Sequence, residues 1–185
     1  MKKTAFFSFL ILVTGSSILF SSCSKNDTVM ATVPTLYDSL GGTTLVKDPT
    51  SSTAMIEQGR LGIRSVVDST IFVIAADPKL NGFFKVLLAE VTAGNTSGFA
   101  ELSKNLTDLF SAATGSKNFK YTGDDMVTAH DPAKNPRMNG KAASADFDQF
   151  VNDLVVGAKK NKLPDNLIGS VGAIVNTLRG QVVQK

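Results

Sequence analysis

The stretch YTGDDMVTAH, residues 121–130, contains the only histidine of the 185-residue chain. A Tyr-Thr-Gly turn precedes a short segment in which Met126 and His130 are four residues apart and so share one helical face. A loop with two prolines, residues 131–140, follows. A solitary histidine is by default a surface residue, but an imidazole presented from a short helix is also a candidate metal ligand.

Two helices are predicted after this stretch. Ser144 or Asp146 is suited to cap the first, which ends in a lysine-rich turn. Pro164-Asp165 begins the second. Its apolar residues recur at helical spacing, namely Leu167, Ile168, Val171, Ile174, Val175, Leu178 and Val182.

The segments before the histidine are also helical in pattern. Residues 35–42, TLYDSLGG, predict a short helix ended by a glycine pair, and residues 43–53 a polar loop. Residues 57–76 predict a long helix, although TIFVI at 70–74 would suit a strand locally. We favour a helix because the segment is long, has no internal proline and stops at Asp77-Pro78.

Two further helices complete the pattern. Residues 80–91 predict a turn followed by a short apolar helix. A clear amphipathic helix ends at Thr114-Gly115 and carries Phe99, Leu102, Leu106, Leu109 and Phe110. No repeat and no convincing alternating strand is recognisable, so the sequence predicts an all-α domain of about six helices.

The N-terminal residues have the pattern of an export signal. Lys2 and Lys3 precede an apolar run at 5–20 and small residues before Cys23. This resembles a bacterial lipoprotein with a signal peptide at 1–22, a lipidated Cys23 and a flexible tether at 23–34. Ser24 favours outer-membrane sorting of the exported chain. The alternatives are a free thiol at Cys23 or a transmembrane anchor, although the run is shorter than the roughly 20 residues that a span needs.

Charge and composition exclude several classes of function. Without residues 1–22 the chain has 17 basic and 16 acidic side chains, a net charge of +1, so nothing suggests nucleic acid. One histidine and one cysteine exclude an intrachain disulfide, Ser-His-Asp or Cys-His catalysis and a histidine-rich zinc site. About 150 residues remain beyond the predicted tether, which suffice for one domain with a core.

In chain order, five fragments resemble a truncated haemoglobin of the first (N-type) group. They are TLYDSLGG at 35–42, IRSVVD at 63–68 with AADPKLNGFF at 75–84, ATG at 113–115, YTGDDMVTAH, and LPDNLI at 163–168. Ser116 stands where a further glycine is usual. The resemblance covers residues 35 to about 183 and implies a two-over-two helical sandwich around haem b, forming a domain at 35–185.

The resemblance also implies roles for individual residues. His130 would be the proximal iron ligand, with Met126 near the same haem face and Phe84 packed on the porphyrin. Leu102, Leu106 and Phe110 would face the distal side or the haem edge, and Phe147 and Phe150 would close the pocket. Ordinary core packing explains the apolar residues equally well, and both roles are compatible because haem would be part of the core.

The distal side departs from the family pattern. Relatives that hold oxygen tightly usually have a tyrosine and a glutamine where this chain has Ile71 and Leu106, and Leu102 lies one turn before. None of the three can donate a hydrogen bond. Losing a charge-assisted bond of roughly 1.5–3 kcal/mol would weaken oxygen binding about 10- to 150-fold. We therefore predict an apolar pocket that loses oxygen quickly and suits CO or NO better, with Tyr37 and Tyr121 outside the distal wall.

The leading hypothesis is a monomeric, membrane-tethered haem protein that binds a diatomic gas, with a reductase as a further partner. An enzyme, either an NO dioxygenase or a peroxidase-like protein, is the second hypothesis. No distal acid–base group supports peroxidase chemistry. A haem-free globin-like lipoprotein is the third. Two insertions, at 44–60 and 131–140, distinguish this chain from the family.

Overall fold

The computed structural model describes residues 33–185. The predicted signal peptide at 1–22, Cys23 and all but the last two residues of the predicted tether lie outside the described residues. Residues 33–185 form one compact unit.

Within residues 33–185 the chain forms eight α-helices, one 3-10 helix and one short hairpin, so the predicted all-α class is confirmed. The elements are α1 (Leu36–Ser39), β1 (Leu45–Lys47), β2 (Met55–Glu57), α2 (Gln58–Ala76), the 3-10 helix (Asn81–Phe84), α3 (Lys85–Thr92), α4 (Ser97–Ala113), α5 (Met126–His130), α6 (Ser144–Lys160), α7 (Asp165–Thr177) and α8 (Arg179–Val182). No helix among these residues combines the length and apolar character needed to cross a bilayer.

Two helix pairs form the layers of the domain. Helix α2 packs against α4, α6 packs against α7, and α2 also lies against α6. The α2–α6 crossing is close because α6 has a glycine there: a Cβ on Gly157 would lie 2.8 Å from the Thr70 main-chain nitrogen. The core between the layers consists of Tyr37, Ile63, Val67, Ile71, Phe110, Phe147, Leu154 and Val175.

The TIFVI segment is helical, as the length of its surrounding pattern predicts. Ile63, Val67, Ile71 and Ile74 are buried on one face of α2, whereas Phe72 is 63% exposed on the other. This spacing of three and four residues is that of an amphipathic helix. The helix ends at Ala76, and its C-cap Asp77 directly precedes Pro78.

The prediction that the chain has no strands is wrong for the first insertion. Strands β1 and β2 pair antiparallel, with Val46 opposite Ile56. The Asp48 carboxylate accepts the main-chain N–H of Thr50 at 2.9 Å, and Arg64 donates to it at 2.8 and 3.1 Å. Strands of three residues are too short to show alternation in the sequence.

Helix number and one cap also differ from the predictions. The last apolar stripe is interrupted at Leu178, so that α7 and α8 replace one long helix. Helix α6 has Ala143, not Ser144 or Asp146, at its N-cap. The Asp146 carboxylate instead accepts the main-chain N–H of Ala143 at 2.8 Å from within the first turn.

Candidate functional site

A cavity of about 390 Å³ lies among α2, α3, α4, α5, α6 and the C-terminal helices. Every residue that the sequence suggested as a cofactor contact lines it: Ile71, Phe84, Leu102, Leu106, Phe110, Met126, His130, Phe147 and Phe150. These nine residues come from five separate elements of the chain: α2, the 3-10 helix, α4, α5 and α6. Their placement is a finding, whereas their contact with a cofactor stays a prediction.

His130 is the last residue of the five-residue helix α5. Asp125 caps this helix by accepting the main-chain N–H of Thr128 at 3.0 Å, and Met126 is buried beneath it. The His130 Nδ1 atom lies 2.8 Å from the main-chain oxygen of Met126. The imidazole is therefore oriented by the backbone of its own helix.

The surroundings of His130 favour a neutral imidazole. Burial lowers the pKa of His130, and the contact with the Met126 main chain raises it by less. The Met126 oxygen can only accept, so the proton is assigned to Nδ1, which donates to it. The Nε2 atom then has a lone pair and no hydrogen-bond partner within residues 33–185. A neutral imidazole arranged in this way is a suitable metal ligand.

The wall formed by α2 and α4 is mostly apolar. Ile71 from α2 and Leu102 and Leu106 from α4 line the cavity, and none of them can donate a hydrogen bond. Asn105 lies between the two leucines in sequence and also lines the cavity. This amide was not predicted as a site residue, because the helical pattern of α4 indicates only its apolar residues.

Aromatic rings form much of the remaining surface. Phe147 and Phe150 of α6 have ring centroids 6.2 Å apart with planes inclined at 60°. Phe84 ends the 3-10 helix, and Phe110 comes from α4. Broad apolar rings on several sides suit a flat apolar ligand.

Several cavity residues were missed by the sequence reasoning. Residues 131–142, which we call the strap, contribute Asn135, Arg137 and Met138 to the lining. Tyr121 also lines the cavity, and its hydroxyl donates to the main-chain oxygen of Asp124. Tyr37 is buried in the core, where its hydroxyl donates to Glu57 at 2.7 Å.

Solved structures with a similar fold include truncated haemoglobin from Tetrahymena pyriformis. Two crystal structures of it, a tyrosine-to-phenylalanine and a glutamine-to-glutamate variant in the Fe(III) form, each match with a TM-score of 0.58. The sequences are 19% and 21% identical, and each alignment covers 82% of this chain and 100% of the other.

No protein-family model and no curated protein sequence matches the chain. The structural likeness confirms the predicted two-over-two fold of the truncated globins. At this level of identity it establishes the fold alone.

Proposed function

We propose that the domain at 35–185 is a haem-binding truncated haemoglobin of the N-type group that reversibly binds a diatomic gas. The observation that carries the proposal is the setting of His130. The only histidine of the chain is held through Nδ1 by the Met126 main chain, in a cavity that it shares with eight of the predicted apolar residues. The order of the sequence fragments supports the N-type assignment.

The cavity residues fit the chemistry of haem. Haem combines a flat apolar macrocycle, an iron that accepts a nitrogen ligand and two carboxylates. The aromatic side chains of Phe84 and Phe147 suit the macrocycle, the neutral imidazole of His130 suits the iron, and Arg137 supplies a cation in the cavity lining. Haem b is the form proposed, because attachment of c-type haem uses a C-x-x-C-H motif and this chain has one cysteine.

When bound, haem supplies an iron atom with a coordination position for O₂, NO or CO. His130 would hold the iron, and other residues of the cavity would set the environment of the gas ligand. Ile71, Leu102 and Leu106 line the cavity and offer no hydrogen bond to a polar gas ligand. This arrangement favours CO and NO over oxygen, since oxygen gains most from a hydrogen-bond donor.

The proposal is tested by adding haemin to the purified domain and recording ferric, ferrous and CO spectra. We expect stoichiometric binding, an intense Soret band and reversible photolysis of CO. Protein that remains folded but takes up no haem would contradict the proposal and favour a haem-free binding lipoprotein.

We also propose that the domain is tethered to the cell envelope through lipidated Cys23. The support for this is the sequence pattern of residues 1–23. Wild-type protein expressed with its N-terminus should incorporate labelled fatty acid and partition into detergent, whereas Cys23→Ser should do neither. Equal behaviour of the two proteins would contradict the anchor.

A further inference from the structure

The strap is part of the cavity wall. The main-chain N–H of Asn139 donates to the main-chain oxygen of Phe83 at 2.9 Å, and the main-chain N–H of Gln184 donates to the main-chain oxygen of Ala142 at 2.9 Å. These two hydrogen bonds hold the strap beside the cavity. Met138 is only 8% exposed and lines the cavity. The strap therefore forms part of the surface that a ligand of the cavity would contact.

Arg137 joins the strap to helices α3 and α4. Its Nε donates to Glu90 of α3 at 3.3 Å, and its Nη1 donates to Glu101 of α4 at 2.9 Å. A Cβ on Gly98 would lie 3.5 Å from the guanidinium carbon. Arg137 consequently lies where α3, α4 and the strap meet.

The two carboxylate partners of Arg137 have different surroundings. The Glu90 side chain is 23% exposed and its Oε2 is buried without a hydrogen-bond partner, whereas the Glu101 side chain is 61% exposed. Removing the cation from Glu90 would leave a partly buried charge unpaired, which is costly. Releasing Glu101 into water costs little.

The guanidinium also has donor capacity left. Its Nη2 has no hydrogen-bond partner within residues 33–185, and Nη1 holds only Glu101. The Nη1–Nη2 edge of arginine matches a carboxylate in a two-bond geometry. A further carboxylate entering this edge would displace Glu101 and leave Glu90 in place.

We propose that Arg137 recognises a haem propionate by exchanging Glu101 for it while Glu90 keeps the guanidinium in position. This inference rests on the proposed haem function. It makes the strap, which contains the enlarged loop at 131–140, the element that recognises the charged edge of the cofactor. It also predicts that Glu101 competes with the cofactor.

The test compares haemin with its neutral dimethyl ester, which lacks the propionate charges. Each is bound to wild type, Arg137→Gln, Arg137→Lys, Glu101→Gln and the control Arg64→Gln, and the rate of transfer to a haem-scavenging apoglobin is measured. Arg64 is a suitable control because it pairs with Asp48 in the hairpin and does not line the cavity.

We expect Arg137→Gln to lose haemin about 2- to 5-fold faster than wild type, as for a partly exposed ion pair. The dimethyl ester should leave both proteins at the same rate. The rate of haemin loss from Arg137→Lys should lie between those of wild type and Arg137→Gln, because lysine keeps the charge without the two-bond geometry. Arg64→Gln should lose haemin at the wild-type rate. Glu101→Gln should lose haemin more slowly, because the competing carboxylate is removed.

An equal effect of Arg137→Gln on haemin and its ester would overturn the inference, since the residue would then act only by holding the strap. Faster haemin loss from Glu101→Gln would overturn the exchange in the same way. Failure of wild type to bind either porphyrin would contradict the proposed function itself. If wild type binds haemin and Arg137→Gln loses it at the wild-type rate, the role of Arg137 would be contradicted but the proposed function would stand.

Discussion

His130 Nδ1 and the main-chain oxygen of Met126 are 2.8 Å apart within the same short helix. The contact needs no other segment of the chain, because the two residues are four apart and Asp125 caps the helix just before them. It fixes both the tautomer and the orientation of the only imidazole. The proposed iron ligand is thus prepared by local structure before any cofactor binds.

Leu106→Gln should convert the distal wall from apolar to hydrogen-bonding. Glutamine is similar in size to leucine and carries an amide donor. We expect oxygen dissociation from the ferrous protein to slow by about 10- to 150-fold, with a small effect on CO. Stopped-flow displacement of oxygen by CO measures this rate.

Two control variants accompany Leu106→Gln. Leu106→Met changes shape without adding an amide donor and should dissociate oxygen as wild type does. Asn105→Leu removes the amide of α4 that lines the cavity. If Asn105→Leu loses oxygen markedly faster than wild type, Asn105 already serves as the donor and the apolar-wall proposal is wrong.

Gly157→Ala should destabilise the α2–α6 crossing. Its Cβ would lie 2.8 Å from the Thr70 main-chain nitrogen, which cannot move without shifting α2. The expected loss is about 1–3 kcal/mol, measured by urea unfolding. Gly172→Ala is the matched control because a Cβ there meets nothing within 4 Å, and it should gain roughly 0.5–1 kcal/mol. Equal effects of the two substitutions would contradict the packing account.

Asp153→Asn should change how stability depends on pH. Asp153 is 4% exposed, and burial, followed by the charge of Asp77, raises the pKa of its carboxyl. The folded state therefore binds the proton more tightly than the unfolded state, and wild type loses stability as pH rises from the ordinary value of 3.8 through the raised pKa. The variant lacks this pH-dependent loss of stability, and its side-chain amide oxygen can still accept the hydrogen bond from Gln149.

Asp153→Asn is thus expected to be more stable than wild type at neutral pH. The gain should shrink as the pH falls towards 4, as measured by thermal unfolding across this range. Subtracting the wild-type stability at each pH cancels the contributions of carboxyls shared by both proteins. Among these is Asp108, whose pKa is lowered and whose contribution has the opposite sign. A difference that is constant with pH would show that Asp153 is not protonated preferentially in the fold.

Local patterns in the sequence were enough to predict most of the helical framework. The apolar stripes of α2 and α4 continue long enough to distinguish helix from strand, and Pro78 and Gly115 mark where they end. Strands β1 and β2 were missed because each is only three residues long. The break at Leu178 lies inside a continuous apolar stripe and has no signal of its own.

At the site, too, the sequence predicts contacts between residues that are close in the chain and does not predict contacts between distant ones. His130 and Met126 are close in sequence, so their relationship follows from helical spacing. Arg137 meets Glu90 and Glu101, which are 47 and 36 residues away, and no periodicity encodes that meeting. The contribution of the strap to the cavity therefore required the tertiary structure.

The most direct test of the central claim is the optical spectrum of His130→Gly under CO, in the ferrous state, with and without added imidazole. If His130 is the iron ligand, the variant should lose the wild-type Soret band and regain it when imidazole occupies the vacated space. A Soret band identical to that of wild type without imidazole would show that another group holds the iron, and would contradict the account.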